Sequence, residues 1–317
     1  MNKFLTATLA ACGVLASSVV TLAQDWTPPG PIEMLIAFRA GGGADTQARL
    51  IAEELEKRFD WKIIPKQVTG KGGINAMIEL KDAPADGTSI AIVVTETLGY
   101  NAAAAKGAGI TPADFTGLTT TAGFQMGIVA RADAGYETLA DVIAAAKQGE
   151  TIRFGVMSQR LADLAYIIAR ENGVDFNVVT VQGGKAVMDA VYASDMDLGF
   201  MAGIQRKGVA KGDLVNLASA LSTPLVQSPD APMLDAFGVN YVADGQFVFV
   251  GPADMDPAAA NALSSAIADI VSDEDSKAGE LLKKAFGGAT TIMGAELDAL
   301  LAAGYEDAGA LMVDAEN

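Results

Sequence analysis

Pro31 to Phe38 is an almost continuous apolar run, broken only by Glu33. Such continuity predicts a strand covered on both faces. A glycine turn, Gly41-Gly42-Gly43, follows, and the period then changes. Ala48, Ile51, Ala52, Leu55 and Phe59 recur at helical spacing, which predicts an amphipathic helix from Asp45 to Phe59. Asp45 stands where its carboxylate can accept bonds from first-turn amides and cap that helix. The alternation then repeats along the chain. Strands are expected at Lys62–Gln67, Ser89–Thr95, Gly127–Arg131, Thr151–Val156, Asn177–Val181, Asp197–Met201, Leu214–Ala220 and Gln246–Val250. Helices are expected at Leu139–Gln148, Leu161–Asn172, Lys185–Ala193, Pro257–Ser272, Asp275–Phe286 and Ala295–Val313. Strand following helix from end to end predicts an α/β protein with mostly parallel sheets. No flexible linker interrupts the pattern, so two lobes would be joined by short strand-like crossings.

The first 23 residues stand apart from this pattern. A cationic start at Met1-Asn2-Lys3 leads into an apolar run from Phe4 to Val20 and small residues up to Ala23. That is the form of a cleaved export signal, which places the mature start at Gln24 and the protein in the periplasm. Leu9-Ala10-Ala11-Cys12 offers a competing reading as a lipid-attachment box. Cys12 is the single cysteine of the 317 residues, so an exported chain would have no disulfide and must rely on its core. No later stretch is apolar for long enough to span a bilayer.

Charge and composition then narrow the chemistry. The formal charge of −17 disfavours nucleic acid and anionic membrane as partners. It also requires that an anionic ligand be held by local positive potential. Histidine is absent, which removes the usual general base, the Ser-His and Cys-His pairs and the commonest transition-metal ligand. No metal or cofactor is expected.

Three strand-to-helix turns carry candidate binding chemistry. Ala40-Gly41-Gly42-Gly43-Ala44-Asp45 puts bare backbone at a helix start, where free N–H groups and the helix dipole favour an anion. A plain tight turn would have the same look. The spacing matches neither a dinucleotide fingerprint nor a P-loop, and Gly183-Gly184-Lys185-Ala186 lacks the hydroxyl that a P-loop needs. Met157-Ser158-Gln159-Arg160 is a second such turn: Ser158 is a helix cap, and Arg160 is either a bidentate carboxylate partner or a solvated first-turn residue. Val181-Gln182-Gly183-Gly184 is the third. Turns at the carboxyl ends of parallel strands tend to share one crevice.

With these residues in order, the chain resembles the Bug/TctC-type extracytoplasmic solute receptors of tripartite tricarboxylate transporters, from about Trp26 to Val313. The resemblance rests on Gly41-Gly42-Gly43-Ala44-Asp45 with Ala48-Arg49, on Gly70-Lys71-Gly72-Gly73 and on Ala85-Asp86-Gly87-Thr88-Ser89. Thr180-Val181-Gln182-Gly183 and Ser194-Asp195-Met196-Asp197-Leu198 add to it. It implies a two-lobed type II periplasmic binding fold, with lobes 24–123 plus 245–317 and 124–244. It further implies that a strand-to-helix turn in each lobe clamps a ligand carboxylate through backbone amides. Carried onto this sequence, the clamps are Ala40 to Asp45 and Met157 to Arg160. Thr95, Glu96, Gln182, Gly183, Met201, Ala202 and Gln246 become wall candidates. The ligand would be a small organic acid, suitably a dicarboxylate. The partners would be the permease subunits, and the receptor would be a monomer. The second clamp departs from the family's Gly-x-Gly-Ser and its following His, which puts ligand identity in question. An exported enzyme using Glu96, Asp45 or Asp163 as acid or base, or a receptor serving a sensor, are the competing functions.

Overall fold

The computed structural model describes residues 26–316. The Met1–Ala23 segment, with Cys12 and Gln24, lies outside the described residues. Five strands lead the chain order: β1 (Ile32–Ile36), β2 (Ile63–Gln67), β3 (Ser89–Val94), β4 (Phe115–Gly123) and β5 (Met126–Arg131). Five more follow: β6 (Ile152–Val156), β7 (Phe176–Thr180), β8 (Leu198–Ala202), β9 (Leu214–Ser219) and β10 (Gln246–Pro252). The helices of the first half are α1 (Gly43–Phe59), α2 (Ile74–Lys81), the single turn α3 (Ala102–Ala104), α4 (Leu139–Lys147) and α5 (Gln159–Asn172). Those of the second half are α6 (Gly184–Tyr192), α7 (Arg206–Lys211), α8 (Pro257–Ser272), α9 (Lys277–Phe286), α10 (Gly294–Glu306) and α11 (Ala308–Glu316).

The strands form two five-stranded sheets, ordered β2-β1-β3-β10-β4 and β7-β6-β8-β5-β9. In the first, β1 runs parallel to β2 and β3, whereas β10 is antiparallel to both β3 and β4. The second repeats the plan, with β6 parallel to β7 and β8, and β5 reversed between β8 and β9. Each sheet thus has one reversed strand, so the expected parallel arrangement holds for strand direction but for only half of the ladders. The reversed strands are also the crossings. β5 follows β4 directly through Phe124-Gln125 into the second sheet, and β10 brings the chain back to the first.

Sequence pattern accounts for most of these elements. β3 is buried along its whole length, as a continuous apolar run in a sheet interior should be. β2 holds Pro65 opposite Met34 and occupies a sheet edge, where a missing N–H is tolerated. Several elements depart from expectation, among them the short helices α2, α3 and α7, for which no helix was expected. β4 was not foreseen, because its Thr119-Thr120-Thr121 run shows no apolar alternation, yet all three are fully buried. The long terminal helix expected over Ala295–Val313 breaks at Asp307 into α10 and α11.

One packing detail positions α6. Gly155 of β6 and Gly199 of β8 are register partners. A Cβ built on Gly199 would lie 2.4 Å from the Val187 side chain and 2.8 Å from the Gly155 carbonyl oxygen. The two glycines let α6 settle onto the sheet closer than any side chain would permit, which fixes where its first turn ends up. On the far side, α11 packs against α5, burying Ala308 and Leu311. Arg170 ties the two helices by donating to the Asp314 carbonyl at 2.6 Å and its carboxylate at 3.0 Å.

Candidate functional site

The turn from β1 to α1 is held from beneath by Asp45. Its carboxylate accepts from the Gly41 amide at 2.8 Å, from Arg49 Nε at 2.8 Å and from the Gln67 side-chain amide. Gly41 adopts φ +77°, a left-handed conformation that glycine reaches without strain. Asp45 therefore reaches back to an amide ahead of the helix instead of capping the first turn, and Gly42 becomes the N-cap with no side-chain bond. This leaves the amides of Gly43, Ala44 and Asp45 without intrahelical acceptors. Asp45→Ala should lower stability by about 1.5–3 kcal/mol, the loss of hydrogen bonds to a charged group. Urea unfolding measures it, and an unmoved midpoint would show that the carboxylate does not hold the turn.

The second sheet offers two more helix starts. At α5, Ser158 is the N-cap and its Oγ accepts from Leu161 N at 3.3 Å, which leaves the Gln159 and Arg160 amides free of intrahelical acceptors. At α6, the N-cap is Gly183 with φ +87°, again without a side-chain bond, and the Gly184 and Lys185 amides are left in the same state.

Residues from these three starts line a single cleft between the sheets: Gly42 to Ala44, Ser158 with Leu161, and Gly183 to Lys185. The rest of its wall is mostly apolar. Phe124 and Met126 come from the first crossing and Phe247 from the return, with the Phe124 and Phe247 rings edge-to-face at 5.3 Å. Free peptide donors set in an apolar surround gain strength from the low local dielectric, while the walls contribute shape and burial.

The expected site residues divide by position. Gly42, Gly43, Ala44, Glu96, Met157, Ser158, Gly183 and Ala202 line the cleft. Ala40 and Gly41 are exposed, and Asp45 is buried beneath the turn. Gln159 and Gln182 line a neighbouring cavity that also takes in Gly70 to Asn75. Met201 is fully buried in the second sheet's core, one residue out of phase with the cleft-facing Ala202. Thr95, Arg160 and Gln246 line a third cavity against α10 and α11, where Thr95 Oγ1 accepts from Gln246 N at 3.1 Å. Missed from sequence were Phe38, Arg39, Gly72, Val94, Lys185 and Ile204, besides the crossing residues and Leu161.

Arg160 is engaged away from the cleft. Its guanidinium donates to the Val242 carbonyl at 2.8 Å and the Asp244 carbonyl at 3.0 Å, and lies 3.7 Å from the Glu96 carboxylate. Its guanidinium donors face the return segment, while its backbone amide stays at the α5 start. Glu96 is buried and also accepts from Asn101 at 3.2 Å. Asp163 accepts from Tyr100 at 2.5 Å and from Gln159 at 2.8 Å. Burial, then the hydrogen bond to Asp163, pushes the Tyr100 phenol far above its ordinary pKa, so it stays a protonated donor. The three carboxylates considered as acids or bases thus each have a structural partner. Among the described residues, no group of three or more His, Cys, Asp or Glu gathers as metal ligands. No helix among them is long and apolar enough to cross a membrane.

Residues 47–285 match the family described as tripartite tricarboxylate transporter family receptor. A UPF0065 protein of Cupriavidus necator is 25% identical over 257 residues, covering 80% of this chain and 78% of its own. Among solved structures, MatC of Rhodopseudomonas palustris with bound malate superposes with a TM-score of 0.77 at 18% identity, covering 92% of this chain and 100% of its own. The R. palustris protein Rpa4515 with adipate gives 0.78 at 19% identity, covering 92% and 99%.

Proposed function

From the chain's place in the tripartite tricarboxylate transporter receptor family, to which it belongs, we propose that it captures a small organic acid in the periplasm for a membrane permease. The dicarboxylates are the best-suited ligands. In this reading the lobes are 24–123 plus 245–317 and 124–244, and they close over the ligand as a monomer by rotation about the two crossings. Asp45 acts from beneath, and the binding contacts come from Gly43, Ala44, Ser158, Gly183 and Gly184.

One observation carries the reading: uncapped helix starts from both sheets open onto a single apolar cleft. An anion there meets several peptide donors at once, with dipoles aligned toward it. Each charge-assisted bond contributes about 1.5–3 kcal/mol net, so a handful supports micromolar binding, about −8.2 kcal/mol, after ordering costs. The malate and adipate held by two structural relatives are of the same chemical kind.

A thermal-shift panel of organic acids, sugars and amines tests the proposal. An acid present at a hundred times its Kd should stabilise the fold by about 2.7 kcal/mol. Stabilisation by sugars or amines alone would sink it.

A further inference from the structure

Two cations stand at the edge of the cleft, one from each sheet. Arg39 follows β1 and Lys185 lies in the first turn of α6, and both line the cleft wall. Their charged ends meet on one carboxylate, Asp189, one helical turn beyond Lys185. Arg39 Nη1 lies 3.8 Å from Asp189 Oδ2, and Lys185 Nζ pairs with Asp189 Oδ1. The Lys185 stem crosses the gap: its Cε would be 3.9 Å from a Cβ built on Gly41, and its Cβ 3.8 Å from one on Gly42. A negative group is therefore already seated between cations of opposite sheets.

We infer that Arg39 and Lys185 form a second anion subsite, which Asp189 fills in place of the ligand's distal carboxylate. This rests on the functional reading above and says which side chains make the protein prefer two acidic groups to one. The seat is exchangeable by its exposure. The side chains of Arg39, Lys185 and Asp189 are 55%, 31% and 40% exposed, and ion pairs this wet contribute little to stability. An incoming carboxylate offers the same chemistry. Asp189 then swings to solvent. In a molecule carrying −17 overall, two convergent cations at a cleft rim also set a local potential opposite to the global one.

Calorimetry on the purified protein tests this with straight-chain α,ω-dicarboxylates from propanedioate to octanedioate, each beside the monocarboxylate of equal length. For the wild type, the best dicarboxylate should bind roughly tenfold or more tighter than its monocarboxylate partner, with a ratio that shrinks as salt rises. Combining Arg39→Gln with Lys185→Met should bring the ratio toward one. Asp189→Asn, which removes the competing charge, should tighten dicarboxylate binding several-fold. A wild-type ratio near one, or an undiminished ratio in the double variant, overturns the subsite and leaves the functional reading standing. Weaker dicarboxylate binding by Asp189→Asn does the same. Failure of every acid to bind overturns the functional reading itself, and the subsite with it.

Discussion

Arg160→Ala should lower the stability of the fold by about 3–5 kcal/mol, the usual cost of leaving one member of a buried charge pair alone. For a chain of this size, that is a fall in melting temperature on the order of 10 °C. Three partners lose their donor or counterion together: the carbonyls of Val242 and Asp244 and the buried Glu96 carboxylate. Much of the cost comes from Glu96, so adding Glu96→Gln to Arg160→Ala should recover part of it. Calorimetric melting of the single and double variants measures both effects. A single variant that melts with the wild type would mean the guanidinium is not holding the return segment.

Gly43→Leu should reduce affinity for any acid ligand by roughly a hundredfold, about 2.7 kcal/mol. Gly43 is the first residue of α1 and lines the cleft, and its amide has no intrahelical acceptor. A Cβ there would lie 3.0 Å from the Phe286 ring and 3.7 Å from that of Phe247. These rings already stack edge-to-face at 5.1 Å, so a leucine must turn away from them and into the ligand's place. Overpacking should also cost about 1–3 kcal/mol of stability. Titration with the acid that stabilises the wild type checks this, with Gly43→Ala as a gentler control expected to fall between. Wild-type affinity in the leucine variant would remove the α1 amides from the site.

The sequence pattern was most informative where one short segment carries the whole signal. The run Pro31 to Phe38, the glycine turn and the α1 periodicity are local, and the structure contains them, with α1 beginning two residues early at Gly43. Gly183 and Ser158 were legible for the same reason, since N-caps betray themselves by residue type. The cleft walls were not. Phe124, Met126 and Phe247 read as ordinary core residues, and only the exchange of β5 and β10 between sheets brings them to the site. Arg160 shows the opposite case. A helix start can be read from sequence, but the carbonyls of Val242 and Asp244 that cover it lie more than eighty residues further on. Met201 and Ala202 differ only by strand parity, which a one-residue uncertainty in register cannot resolve.

The exchange of strands also dictates an order of assembly. β10 lies between β3 and β4 in the first sheet, so nothing in the first 245 residues can complete that ladder. Until the last quarter of the polypeptide arrives, the edge of β3, Ser89-Ile90-Ala91-Ile92-Val93-Val94, offers unpaired backbone on a strand apolar but for its first residue. Such an edge pairs readily with other chains. The nascent protein is thus at its most adhesive just before it is finished, and closing that seam is a late, long-range step that must outrun association.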